Sequence, residues 1–265
     1  PKALGIGSAR LGQLVAARLH GPHGGAGMAG HLDLGDDVDV QGRLLATGSS
    51  TTERGGNVSL ATGSIGDGSL NASYGYQNLG SANAGSIRLG SAAVIDVSGG
   101  SAGGLEGGTL NLRSALLDNG DVNVAIDSGA TIRGVREVGV EAYAVWSTAD
   151  GGGFDGNIDP RGNAGFYVNT LQGFLQQGPL AFETRLANVP ALRTRLGIEL
   201  RNPAGDINVV SNWNLGAAEL DGNGNVSRYL YRHGGDAPVL SLRAAGSLNI
   251  GASLSDGFVQ LSNPL

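Results

Sequence analysis

Short runs of alternating apolar and polar residues, each introduced by glycine, recur along this 265-residue chain. The first half holds Gly55-Gly56-Asn57-Val58-Ser59-Leu60, Gly85-Ser86-Ile87-Arg88-Leu89 and Gly107-Gly108-Thr109-Leu110-Asn111-Leu112. Gly120-Asp121-Val122-Asn123-Val124, Gly205-Asp206-Ile207-Asn208-Val209 and Gly246-Ser247-Leu248-Asn249-Ile250 follow. A period of two marks a strand with one buried face. The runs read as strands of three to five residues, shorter than the five to six usual in a sandwich.

The spacing of these runs bounds the fold. Ile65, Ile87, Leu110 and Ile132 stand 22, 23 and 22 residues apart. A period in that range, built from short strands and glycine turns, reads as a β-solenoid in which each coil hydrogen-bonds to the next. Glycine supplies the positive φ that repeated corners demand, and 48 residues are glycine. An up-and-down barrel or a sandwich is the alternative. The alternation turns Asn111, Asn123, Asn208 and Asn249 outward, as a stripe for sugar hydroxyls or as a solvated ladder on a stacked sheet.

Two segments break the pattern. Ser8, Leu11, Leu14, Val15 and Leu19 have helical spacing, which predicts a short cap helix over 8–19 that blocks the open end of the stack. Phe166, Leu171, Phe174, Leu175, Phe182, Leu186, Leu192 and Leu196 predict a partly helical excursion over 151–204. The reading is therefore a β-helix over 1–150, the excursion packed on it, and the β-helix resuming over 205–265.

Composition removes several classes. Glycine does not fall at every third position, which excludes collagen. No apolar run approaches the ~20 residues of a membrane helix, so no membrane insertion is expected. A net charge of −6 offers no basic excess for nucleic acid. The chain has no cysteine, which rules out disulfides and thiolate metal sites and suits passage through oxidising space.

Few constellations carry chemistry. Gly5-Ile6-Gly7-Ser8-Ala9-Arg10-Leu11-Gly12 mimics a dinucleotide loop but lacks the preceding strand and the third glycine in its place. His20, His23 and His31, followed by Asp33, Asp36 and Asp37, are potential ligands for zinc, set in a glycine-rich loop that fixes no face. Asp155-x-Asn157-x-Asp159 and Asp221-x-Asn223-x-Asn225 resemble calcium loops, yet Phe166 and Arg232 occupy the twelfth position where an EF-hand needs Glu. Turn chemistry explains both runs, and no cofactor is expected. Asp36-Asp37 is the only vicinal Asp pair, and neighbouring residues of one strand face opposite ways. Trp146, Trp213, Tyr229 and Tyr231 suggest a platform for sugar rings, or rings that fill the junction between solenoid and excursion.

Several stretches resemble the large exoproteins of two-partner secretion, relatives of filamentous haemagglutinin. They are Gly108-Thr109-Leu110-Asn111-Leu112-Arg113-Ser114, Asp121-Val122-Asn123-Val124 and Gly129 to Val145 with Val140-Glu141-Ala142-Tyr143. Gly205-Asp206-Ile207 through Ser211, Trp213 and Leu215, and Leu242-Arg243-Ala244-Ala245-Gly246-Ser247-Leu248-Asn249-Ile250 through Phe258, extend the likeness. The resemblance implies a right-handed parallel β-helix, exported unfolded through an outer-membrane secretion partner and folded at the outer surface of a Gram-negative-type bacterium. It implies an adhesin or rigid stalk that meets a host or bacterial surface glycan or protein. Its Asn-Pro-Asn secretion motif is missing, since the only Asn-Pro pairs are Asn202-Pro203 and Asn263-Pro264, so an interior or distal piece is expected and the partner is recruited by a domain outside this chain. The expectation is a non-catalytic structural or adhesive segment. The alternatives are a glycan-binding module, or a β-helix polysaccharide lyase or hydrolase working through Asp33, Asp36 and Asp37.

Overall fold

The computed structural model describes residues 13–18, 29–33, 37–48, 51–64, 66, 68–80, 84–100 and 107–256. The chain is mostly strand, 43%, with 9% helix, in parallel sheets that include one curled into a half-barrel.

Among the described residues two six-stranded sheets take the chain in alternation. Sheet A contains β1 (Gln13–Arg18), β3 (Val38–Leu45), β5 (Ile87–Leu89), β6 (Val94–Asp96), β8 (Val124–Ile126) and β9 (Thr131–Arg133). Sheet B runs, in spatial order, through β2 (Ala29–Asp33), β4 (Asn57–Ala61), β7 (Gly108–Ala115), β10 (Val135–Ser147), β12 (Leu192–Asn202) and β17 (Val239–Ala244). Every pairing in both sheets is parallel. After β10 the chain adds β11 (Asn157–Ile158), β13 (Ile207–Val209) and β18 (Leu248–Ile250) as a third parallel sheet. A fourth joins β14 (Trp213–Asn214) to β19 (Leu254–Ser255), and β15 (Ala218–Leu220) with β16 (Val226–Tyr229) forms an antiparallel hairpin.

Apolar residues at alternate positions face inward and stack in register. Leu60 pairs with Leu112 and Leu112 with Val140, all with no exposed surface. Full burial of each such side chain contributes about 1.5–3 kcal/mol, so a column of them holds the layers together. Glycine is required where layers touch. A Cβ on Gly108 would run into the carbonyl oxygen of Gly56, and one on Gly55 into that of Val97.

The stacking interval differs from the spacing read in sequence. Leu112 and Val140 are 28 residues apart, Leu60 and Leu112 are 52, and Ile207 and Leu248 are 41. The steps of 22 and 23 residues link Ile87 in β5, Leu110 in β7 and Ile132 in β9, which lie in alternate sheets rather than one above another. Ile65 falls outside the described residues. The runs at β4, β5, β8, β13 and β18 keep the expected three to five residues, whereas β7 has 8, β12 has 11 and β10 has 13.

The cap helix over 8–19 is not formed across Gln13–Arg18. That segment is strand β1, laid parallel on β3 with Gln13 opposite Asp39 and Arg18 opposite Leu45. The ladder it makes satisfies backbone groups along an otherwise open edge of β3, a gain that outweighs helical spacing in one short segment. Residues 8–12 and 19 lie outside the described residues.

The excursion is helical only in its middle. A π-helix (Gly165–Leu171) continues into α1 (Gln172–Leu175), and α2 (Ala181–Leu186) follows. The sheet resumes at Leu192 rather than Gly205, because β12 occupies Leu192–Asn202 between β10 and β17. Leu192 and Leu196 have helical spacing, but Leu196, Ile198 and Leu200 also alternate, and all three of these are buried. The period of two decides when parallel strands wait on both sides.

Candidate functional site

The aromatic candidates are interior. Trp146, Trp213 and Tyr231 have no exposed surface, so they present no face to a sugar ring. Trp146 meets Tyr76, Phe166 and Phe174 edge to face at 5.8, 6.2 and 5.2 Å. Trp213 meets Tyr167 at 5.1 Å and Tyr231 at 5.8 Å in the same manner. These rings fill the junction between sheets and helices, where large flat groups close the space most completely. Tyr229 is half-buried with the Arg232 guanidinium over its ring at 4.5 Å. Burial raises the Tyr167 and Tyr231 phenols above their ordinary range.

The Asp and Asn loops spend their oxygens locally. Asp155 accepts from the Asn157 backbone at 2.9 Å, Asn157 accepts from Asn208 at 3.1 Å, and Asp159 accepts from the Ser211 hydroxyl at 2.6 Å. Asp221 accepts from the backbone N–H groups of Asn223 and Asn225 at 2.8 and 2.9 Å, closing the β15–β16 turn. Among the described residues no group of three His, Asp or Glu side chains is placed to hold a metal. His20, His23 and Asp36 lie outside the described residues, as does the Gly5–Gly12 loop. His31 and Asp33 fall in β2, and Asp37 accepts from the backbone N–H and hydroxyl of Ser86 at 2.9 and 2.7 Å, which holds its carboxyl below the usual range. Asn208 donates to Asn157 and Asn249 donates to Asn208 at 2.9 Å, a ladder across three layers. Asn111 instead donates to Thr109 and Asn123 to the Ala84 carbonyl.

The richest polar constellation lies on the outward face of sheet B. Because Leu196, Ile198 and Leu200 point inward, Gly197, Glu199 and Arg201 point outward. Register sets Glu141 beside Arg113, Glu199 beside Ser241 and Arg201 beside Arg243. Glu199 is fully buried, and its carboxylate takes Arg113 at 2.6 Å, Arg201 at 2.5 Å and Arg243 at 3.1 Å. Arg113 also reaches Glu141 at 3.0 Å and lies over the Tyr143 ring at 3.8 Å. Gly197 makes this packing feasible, since a Cβ there would collide with the Glu141 carboxylate and stand 2.7 Å from the Tyr143 Cβ.

The two carboxylates are driven apart. Burial lifts Glu141 above its ordinary range, and Arg113 only partly offsets it. Burial acts on Glu199 in the same sense, but the guanidiniums of Arg201 and Arg113 overcome it and hold that group below its ordinary range. Burial also raises the Tyr143 phenol, whose hydroxyl donates to the Thr62 carbonyl at 3.0 Å or the Ser64 hydroxyl at 3.1 Å. Above these groups a cleft of about 450 Å³ opens, walled by residues 61–64 and by Arg113, Tyr143, Arg201, Ser241 and Arg243. Chemically, the buried carboxylate fixes a fan of guanidiniums whose outer edges face the cleft, an arrangement suited to holding an anion.

Arg113, Glu141, Glu199, Arg201, Ser241 and Arg243 did not stand out as a site in sequence, although Arg113, Glu141 and Arg243 fall within the stretches quoted for the resemblance. The available signal was charge at outward positions of apolar strands. Which strands lie side by side depends on intervals from 26 to 54 residues, visible in the pairs Gln13–Asp39 and Val140–Thr194.

Comparison with protein-family models, with curated proteins and with solved structures finds no match to this chain.

Proposed function

We propose that this chain is a segment of a right-handed parallel β-helix belonging to a secreted, surface-displayed exoprotein of the filamentous-haemagglutinin type. In this reading it is non-catalytic and acts in adhesion, or as the rigid stalk that carries an adhesive surface. The outer-membrane secretion partner is met by a domain outside this chain, and the ligand is a host or bacterial surface glycan or protein. The observation that carries the reading is the regular exchange of the chain between parallel sheets A and B, with apolar residues in register through successive layers. A stack of that kind is stiff along its axis and leaves its outward faces free for display.

Two assays test the proposal. Beads coated with the purified chain are expected to adhere to epithelial or bacterial cells, whereas beads coated with heat-unfolded chain are not. Equal retention of both, or of neither, overturns the adhesive role. The purified chain is also expected to release no reducing ends or unsaturated products from a panel of acidic and neutral polysaccharides. Saturable turnover on any of them contradicts the non-catalytic reading.

A further inference from the structure

We propose that His233 is a pH-operated clasp: with both ring nitrogens protonated it pins the helices of the excursion to the turn that leads into β17, and as pH rises and the ring gives up a proton that hold is lost. The inference goes beyond the adhesive reading and does not depend on it.

The first observation is what the ring faces. His233 is 7% exposed. Its Nδ1 lies 3.2 Å from the Leu175 carbonyl oxygen, and its Nε2 lies 3.1 Å from both carboxylate oxygens of Glu183. Both neighbours only accept, whereas a neutral imidazole has one N–H and one lone pair. The imidazolium alone donates to both. A neutral ring turns its lone pair toward one of the two oxygens, and a buried acceptor left without its donor is costly.

The second is that the surroundings favour a cation. The helical run from Gly165 ends at Leu175, so this carbonyl belongs to the last turn, where the aligned peptide dipoles attract positive charge. Glu183 supplies a full opposite charge. Burial acts to raise its carboxyl, but the Leu180 N–H, His233 and the Thr194 hydroxyl overcome that and hold it below its ordinary range. It is therefore ionised wherever an imidazole titrates. The other charges on the packed elements are satisfied elsewhere. Arg193 of β12 takes Asp236 of the turn and Glu137 of β10, and Arg195 takes Glu137 as well. Arg232 donates to the Gly235 and Asp256 carbonyls, and Arg185 of α2 is held by Asp121. Burial raises the Tyr231 phenol, which stays neutral.

The third is what the ring joins. Leu175 closes α1, and Glu183 lies in the first turn of α2, where it accepts the Leu180 N–H at 2.8 Å. Thr194 on β12 donates to the same carboxylate at 2.9 Å. His233 opens the turn over 233–236, which is closed by reciprocal backbone bonds between His233 and Asp236. One ring thus ties both helices to the chain that returns to sheet B as its edge strand β17. The Arg193–Asp236 pair keeps the turn on β12 at any pH near neutrality, so the grip on the helices is the part that titrates.

The test is hydrogen exchange of the full chain, read by mass spectrometry at about pH 5.5 and about pH 8.5, on either side of imidazole titration. Protection is corrected for the intrinsic effect of pH on exchange. Over 171–186 and 229–236 it is expected to fall about tenfold at the higher pH, the effect of one buried acceptor left unsatisfied, while β7 is unchanged. His233→Gln is expected to show the lower protection at both pH values. His20, His23 and His31 remain in that protein, so a dependence carried by them would persist there. Glu183→Gln, which keeps an oxygen for the Leu180 N–H, is expected to lose the dependence too and serves as the second variant if His233→Gln does not fold. Equal corrected protection at both pH values in the wild-type chain overturns the inference. So does a pH-dependent fall that survives His233→Gln, or one that appears equally in β7.

Discussion

Replacing Glu199 with Gln removes the only charge that three guanidiniums share. Glu199 is fully buried, with Arg113 at 2.6 Å and Arg243 at 3.1 Å. Breaking a buried pair by deleting one charge costs about 3–5 kcal/mol. Arg201 and Arg243 are 26% and 58% exposed and can turn toward water, whereas Arg113, at 15%, cannot do so freely. The lower end of the range, about 3 kcal/mol, therefore applies. For a chain of this size that is a fall in Tm of roughly 6–12 °C. The dependence on pH follows from the direction of the shift. Glu199 has a folded pKa below its unfolded value of 4.5, so its contribution is complete above that value and is lost as pH falls through the folded pKa. Thermal melts followed by circular dichroism at pH 7 and pH 3 are expected to show the gap between wild type and Glu199→Gln narrowing in acid. Glu141 behaves oppositely. Its folded pKa is raised, so its ionised form opposes folding above that pKa and the penalty is relieved as pH falls through it. Glu141→Gln is thus expected to hold or raise Tm at pH 7. A Glu199→Gln protein that melts with wild type at pH 7, or a gap unchanged at pH 3, would show that the buried carboxylate does not hold the three guanidiniums.

Other outcomes follow from the same geometry. Trp213→Ala opens a cavity between Tyr167 and Tyr231 and is expected to cost about 3–5 kcal/mol, read as a lower Tm. Unchanged stability with lost glycan binding would restore the platform reading for that residue. Gly108→Val forces a side chain into the Gly56 carbonyl and is expected to abolish the cooperative melt, whereas Gly222→Ala, with open space around it, is expected to melt like wild type. Asn208→Ala removes both bonds of the Asn157–Asn208–Asn249 ladder and is expected to cost about 1–2 kcal/mol by denaturant titration. Calcium at millimolar concentration is expected to leave Tm unchanged, because the Asp155 and Asp221 carboxylates already accept backbone hydrogen bonds; a rise of several degrees would contradict that assignment.

The alternation of single strands was legible in sequence because it is local. Val58 and Leu60, Ile87 and Leu89, and Leu110 and Leu112 are all buried as the period of two requires. The stacking interval was not legible. Chain between layers ranges from the short link before β10 to the helices before β12, and no local signal encodes which distant strand lies alongside. Residues 13–18 show the same limit: their spacing suits a helix, yet an open parallel edge at β3 recruits them as strand. For the site, the size that makes Trp146, Trp213 and Tyr231 candidates for a sugar ring also makes them the best interior filler. Trp146 and Trp213 closed the core, and the accessible chemistry fell to Arg201 and Arg243, ordinary outward residues until β12 and β17 are set side by side.

Cysteine pairs test the parallel stack directly, in a chain that has no cysteine of its own. Asn208 and Asn249 are in register on β13 and β18, and their amides touch at 2.9 Å. Parallel neighbours lie roughly 4.8 Å apart, within the range a disulfide spans. Under native conditions Asn208→Cys with Asn249→Cys is expected to oxidise rapidly to the intramolecular disulfide, while Asn208→Cys with Ser247→Cys, two residues out of register, is not. Equal oxidation of both pairs, or faster closure of the second, would contradict the layered arrangement.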